Sequence, residues 1–208
     1  MMRTLEVIAR GVSALFHPLV IPTLGIFILF QLNTYISFSV TTEARRFIMI
    51  MIFVNTAIAP VLAILVLKRL GYIRDLLLDD RGERILPLLF SAVMFFMTYY
   101  LLRQLTLPSL IYFYVMGASV LVLLTLLISF AWKISIHMVS LGGLTGMLIV
   151  TAVILNVDIS LLITALILVS GVTAASRIYL GAHIPSQVYT GYLLGLIVML
   201  MLFAYLLA

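Results

Sequence analysis

The sequence predicts an all-α fold, a polytopic transmembrane helical bundle of about seven spans. Two observations carry that prediction, and a third removes the other way of crossing a bilayer. Only 9% of the 208 residues are charged and 65% are hydrophobic, where a soluble domain carries about 25% charged residues. Apolar runs of about twenty residues, each long enough for roughly 30 Å of hydrocarbon, recur from Leu15 onward. Those runs lack the alternation of a membrane β-barrel, the only other structure that satisfies its own backbone in lipid.

Taken in order, residues 1–11 are short and polar, with Arg3, Glu6 and Arg10, and read as an interfacial lead-in rather than a signal peptide. The first span is expected over 14–38, with Pro18 and Pro22 near its start, and the second over 47–67 after a polar turn at 41–46. The one long polar segment, 68–84, holds five basic and four acidic residues. The third span, 85–102, has Pro87 in its first turn, where a missing N–H costs little. Pro108 marks the turn before the fourth, 109–131, which ends on the interface anchor Trp132-Lys133. The fifth span covers 137–155, and 156–160 leaves room only for a tight hairpin before the sixth, 161–176. The seventh begins at Gln187. The chain reads as one domain overall, with N-terminal spans over 1–67 and a membrane core over 68–208.

Composition also limits the chemistry. With no cysteine there are no disulfides, thiolate metal sites or thiol nucleophiles. Imidazole chemistry has three candidates, His17, His137 and His183. The formal charge of +5 comes from ten arginines and two lysines set against seven acidic residues. Those cations lie in loops beside spans, so anionic headgroups or phosphate esters fit better as partners than nucleic acid.

Counting crossings places segments 68–84, 132–137 and 177–186 on one side of the membrane, after two, four and six spans. In the first, Arg81 and Arg84 are three apart and share a face if already helical, and a guanidinium fork suits phosphate oxygens. A charged interfacial loop with internal ion pairs accounts for the same residues. In the second, His137 opens a span rich in small residues, Gly142, Gly143 and Gly146, at a helix end able to help bind an anion. An interfacial histidine ahead of a packing face is the plainer reading. In the third, Ser176 and Arg177 end an apolar helix and His183 follows Gly181, six positions after the arginine. A cation at a helix end in lipid is costly and usually functional, although a snorkelling arginine and a solvated histidine also fit. His17, before Pro18, reads as an interfacial cap or as lining a substrate entrance. Gly191 and Gly195 read as a packing face.

Together these segments resemble the type 2 phosphatidic acid phosphatase superfamily, which includes bacterial acid phosphatases and vanadium haloperoxidases. Its three motifs are Lys-x6-Arg-Pro, Pro-Ser-Gly-His and Ser-Arg-x5-His-x3-Asp. Ser176, Arg177 and His183 match the third at its spacing. Ser135 and His137 match the second, with Ile134 and Ile136 in place of proline and glycine. The first is blurred: Arg81 and Arg84 precede Ile85-Leu86-Pro87, and Arg74, seven before Arg81, stands where the lysine belongs. The resemblance covers roughly 74–200. It implies a six-helix core, to which one further span is added here, and hydrolysis of a membrane lipid phosphate or diphosphate without metal or other cofactor.

The resemblance further implies His183 as nucleophile, forming a phosphohistidine, and His137 as general acid. Arg177, Arg81, Arg84 and Arg74, with Ser135 and Ser176, would hold the phosphate oxygens. The family's final aspartate is Gln187 here. A glutamine carbonyl can accept an imidazole N–H but supplies no negative charge, unless another carboxylate such as Asp79 or Asp80 serves. Two other functions stay open, a catalytically impaired relative that binds or presents phospholipids and a transport or assembly protein. Nine basic residues lie on the motif side (3, 10, 68, 69, 74, 81, 84, 133 and 177) against three opposite (45, 46 and 103), which favours a cytoplasmic motif face. Setting aside the five within or beside the motifs leaves four against three. The resemblance implies an extracytoplasmic site in a bacterial cytoplasmic membrane.

Overall fold

A computed structural model describes residues 2–74 and 80–207. Of this structure 81% is helical, and no strand occurs among the described residues. The helices are α1 (Met2–Leu15), α2 (Ile21–Gln31), α3 (Tyr35–Ser39), α4 (Thr42–Phe53), α5 (Ala59–Arg69), α6 (Ile85–Arg103), α7 (Ser109–Ser129), α8 (Ile136–Leu155), α9 (Ser160–Tyr179) and α10 (Pro185–Leu207). Six stretches of described helix are long and apolar enough to cross a membrane, and α2 is a shorter apolar helix. The protein is a multi-pass membrane protein.

The expected first span, 14–38, is divided. Helix α1 ends at Leu15, α2 covers 11 residues, and α3 follows as a separate short helix. Pro18 has no N–H to continue the α1 ladder, and its ring disfavours helical geometry at His17. Pro22 is tolerated because it lies in the first turn of α2, where no intrahelical donor is needed. At 1.5 Å per residue, α2 covers only about 16 Å. Between α4 and α5 the helix widens into one π turn, Val54–Ile58, just ahead of Pro60. The Ala59 N–H reaches back to the Val54 carbonyl, which makes room for a ring that would otherwise clash.

The helices form two compact units, residues 1–21 with 133–208, and residues 22–132. The 67/68 boundary expected from sequence falls inside the second. In that unit α6 packs along α7 while α4 and α5 lean on α6, and Gly25 lies where an added Cβ would overlap the buried ring of Tyr114. Hydroxyls within its spans bond to carbonyls one turn back, as Ser91 does to Pro87 and Thr125 to Leu121. Such back-bonding satisfies polar groups where lipid offers no partner.

In the first unit α8 is the central helix, packed on α10 and α9, while α1 lies along α9. Lipid tails are as apolar as leucine, so close packing rather than water exclusion holds such helices together. Glycines permit that closeness. A Cβ on Gly142 would overlap the Tyr192 carbonyl, and one on Gly195 would overlap that of Val139. Gly146 and Gly191, one turn from each, are similarly tight, with a Cβ 2.9 Å from the Leu196 oxygen and 2.8 Å from the Ser135 oxygen. Two Gly-x3-Gly faces therefore meet backbone to backbone. The Tyr192 hydroxyl bonds to Thr145 Oγ1 at 3.1 Å across the same contact.

Candidate functional site

The end of the first unit where α8 begins is also where α9 finishes, α10 starts and α1 stops. Helix α9 closes with Gly181 at φ +65°, a left-handed position that favours glycine. The chain then folds over the Arg177 carbonyl, which accepts the N–H of Ala182 at 3.1 Å and of His183 at 3.3 Å. That double bond is why an arginine and a histidine six residues apart stay close. His183 is buried, with 6% of its surface exposed.

Pro185 occupies the first position of α10, and Gln187, two residues on, reaches back. Its Oε1 accepts the Ile184 N–H at 3.3 Å and lies 3.0 Å from His183 Nδ1. A backbone N–H can only donate, so the atom it meets is the amide oxygen. His183 Nδ1 facing that oxygen therefore carries the proton, and the lone pair is on Nε2. Gln187 thus performs half of a capping box and fixes a histidine tautomer at once. Its main-chain carbonyl accepts the Ser135 N–H at 3.3 Å, tying the start of α10 to the start of α8.

Ser135 is fully buried at the α8 N-cap, yet its hydroxyl caps no N–H and has no partner among the described residues. Two further buried hydroxyls of this unit, Ser13 and Thr173, are also without partners. The Ser176 hydroxyl instead bonds the Val172 carbonyl at 2.8 Å. His137, second residue of α8, has Nε2 3.0 Å from the Ser13 carbonyl and its ring edge-to-face with His17, centroids 5.5 Å apart at 78°. Arg177, His17 and His183 all lie within electrostatic reach of His137. Burial, and then the Arg177 charge, hold the His17 pKa below its ordinary value.

The acidic residues of this unit are Glu6 and Asp158. Glu6 pairs with Arg10 at 2.8 Å on α1. Asp158 lies at the other end of α8, where its Oδ1 accepts the Ser160 N–H and this bond keeps its pKa low. An arginine and three histidines with unpartnered hydroxyls make a site suited to an anion. The structure gathers His137, Ser135, Ser176, Arg177, His183 and Gln187 in one unit. Arg74, Arg81 and Arg84 belong to the other. There Arg81 donates to the Ala131 carbonyl at 2.8 Å, Arg84 is buried in a 3-10 turn, and Arg74 is exposed. Asp80 accepts the Gly82 N–H at 2.9 Å, and Asp79 lies outside the described residues. The contact of the α1 end with His137 joins residues 124 apart, and the only sequence signal for it is the His17-Pro18 break. No family model matches the chain, and no match is found among curated proteins or solved structures.

Proposed function

We propose that the chain is an integral-membrane hydrolase of the type 2 phosphatidic acid phosphatase superfamily, releasing phosphate from a lipid phosphate or diphosphate without a metal. The observation that carries the reading is the His183–Gln187 pair, which puts the proton of a buried imidazole on Nδ1 and the lone pair a nucleophile needs on Nε2, in a turn folded over the Arg177 carbonyl. In the proposed reaction the Nε2 lone pair forms a bond to phosphorus as the P–O bond to the lipid breaks. The departing oxygen keeps that electron pair and takes a proton from His137. Water then attacks phosphorus and gives a proton to His137 while the P–N bond breaks, its electron pair returns to His183 Nε2, and inorganic phosphate leaves. Arg177 and the Ser135 hydroxyl would bear on the oxygens where charge builds. In this reading the site opens on the extracytoplasmic side of a bacterial cytoplasmic membrane.

Purified protein given phosphatidic acid, phosphatidylglycerol phosphate, a polyprenyl diphosphate and lipid A phosphate tests this. We expect phosphate release from at least one, abolished by His183→Ala and indifferent to chelator. Turnover that survives His183→Ala, or that needs added metal, overturns the mechanism. A second reading, a protein that binds or presents phospholipids without hydrolysing them, is favoured by Gln187, which brings no negative charge to the nucleophile. Saturable lipid-phosphate binding with no His183-dependent release would establish that reading instead.

A further inference from the structure

The last carbonyls of a helix need donors from outside it. Helix α1 meets that need with the side chain of His137, whose Nε2 is 3.0 Å from the Ser13 oxygen. A carbonyl only accepts, so Nε2 carries a proton and the lone pair of the neutral ring is on Nδ1. His17 then closes off rotation by setting its ring across that of His137 at 78°. His17 is itself held: the Leu19 N–H donates to its Nδ1 at 3.4 Å, and Pro18 keeps it out of α1.

We propose that the end of α1, through the Ser13 carbonyl and the His17 ring, is the positioning element for His137, fixing its Nε2–H tautomer and assigning proton exchange to Nδ1. The assignment of that exchange to a leaving group rests on the phosphatase reading. Within it the electrons and protons balance simply. As the P–O bond breaks, the departing oxygen takes from His137 imidazolium the Nδ1 proton that the ring gained from the hydrolytic water of the preceding turnover, or from solvent in the first. The neutral Nε2–H ring that remains is the form Ser13 already holds, so no ring flip or proton exchange is needed before the next half-reaction. His17 touches no reacting atom and acts only through His137.

Two measurements on the full-length protein in detergent decide the matter. The first compares a lipid phosphate, whose alkoxide needs a proton to depart, with p-nitrophenyl phosphate, whose leaving group does not. In His17→Ala we expect kcat for the lipid to fall about tenfold or more, part of the roughly 10²–10⁴ a general acid supplies. The aryl ester should lose less than about threefold, and KM for both should hold. His17→Phe keeps the ring contact and should restore most of the lipid rate. Equal losses on both substrates, or none, overturn the proposal. The second measurement is ¹⁵N NMR of the imidazoles, tractable with only three histidines in the chain. His137 should show a single Nε2–H tautomer that becomes averaged in His17→Ala. A wild-type His137 whose neutral ring is averaged, or carries its single proton on Nδ1, overturns the proposal whatever the activity. A fixed tautomer in protein with no His183-dependent turnover would instead leave α1 as the positioning element and sink only the phosphatase reading.

Discussion

Gln187 joins the start of α10 to His183 through one oxygen with two donors. Gln187→Glu keeps that reach and adds the charge the glutamine lacks, while also placing a carboxylate in the first turn of a helix, where the dipole favours it. Under the proposed phosphatase mechanism kcat should rise several-fold, by about three to ten times, as modest tuning of a nucleophile would give. Gln187→Leu removes both bonds and should lower kcat by about tenfold or more, with about 1 kcal/mol lost from the helix start. Steady-state kinetics and thermal unfolding of both variants check these values. His17 gives a pH prediction with a definite sign. Its folded pKa lies below the unfolded value of 6.5 because burial and Arg177 disfavour its charge. The unfolded chain therefore binds the proton more readily, so this contribution to stability is full above that value and is lost as pH falls through the lowered one. Apparent Tm should drop on acidification below about pH 6.5 and drop less in His17→Phe. At this scale Arg177, His183 and Gln187 were legible from sequence because one local turn links them. His17 was not, because its significance comes from a ring 120 residues away.

The α8–α10 contact sets the spacing between the two site histidines, since Ser135 and Gln187 are bonded at its end. Gly142→Ala and Gly195→Ala each force a methyl into opposing backbone, a cost of about 1–3 kcal/mol for overpacking. Both should lower the unfolding midpoint, and both should reduce turnover by pulling His183 from His137. Gly171→Ala is the control, because an added Cβ there meets nothing within 4 Å. It should leave stability unchanged or slightly raised, as alanine favours helix. Run length was a good guide to these elements: α6, α7 and α8 each begin within a residue of expectation. It failed over 14–38, where hydropathy stays high while two prolines interrupt the supply of backbone donors. Apolarity reports how much hydrocarbon a segment tolerates, and the ladder of N–H groups decides whether it is one helix.

For the whole molecule, the site gathered in the first unit is positive, and Asp80 and Glu83 of the long loop lie in the other. The proposed orientation can be tested because the chain has no cysteine of its own. Ser186→Cys, exposed at the start of α10, should react with a membrane-impermeant maleimide on intact cells. Asp158→Cys, exposed at the opposite end of α8, should react only after permeabilisation. The reverse pattern would put the site on the cytoplasmic side. The presence of several membrane-spanning helices could be read from sequence because it needs only run length and apolarity. The grouping of helices into two units could not, because α1 joins partners more than a hundred residues further on. One consequence of the turn over Arg177 reaches past this chain. Two N–H groups converge on a single oxygen there, so the interval from arginine to histidine has a fixed length, and one inserted residue would swing the imidazole away. The hairpin of α8 and α9 is under no such restriction and could lengthen by whole turns. A distant relative too altered to align would betray itself by that short interval, whatever had become of the membrane helices around it.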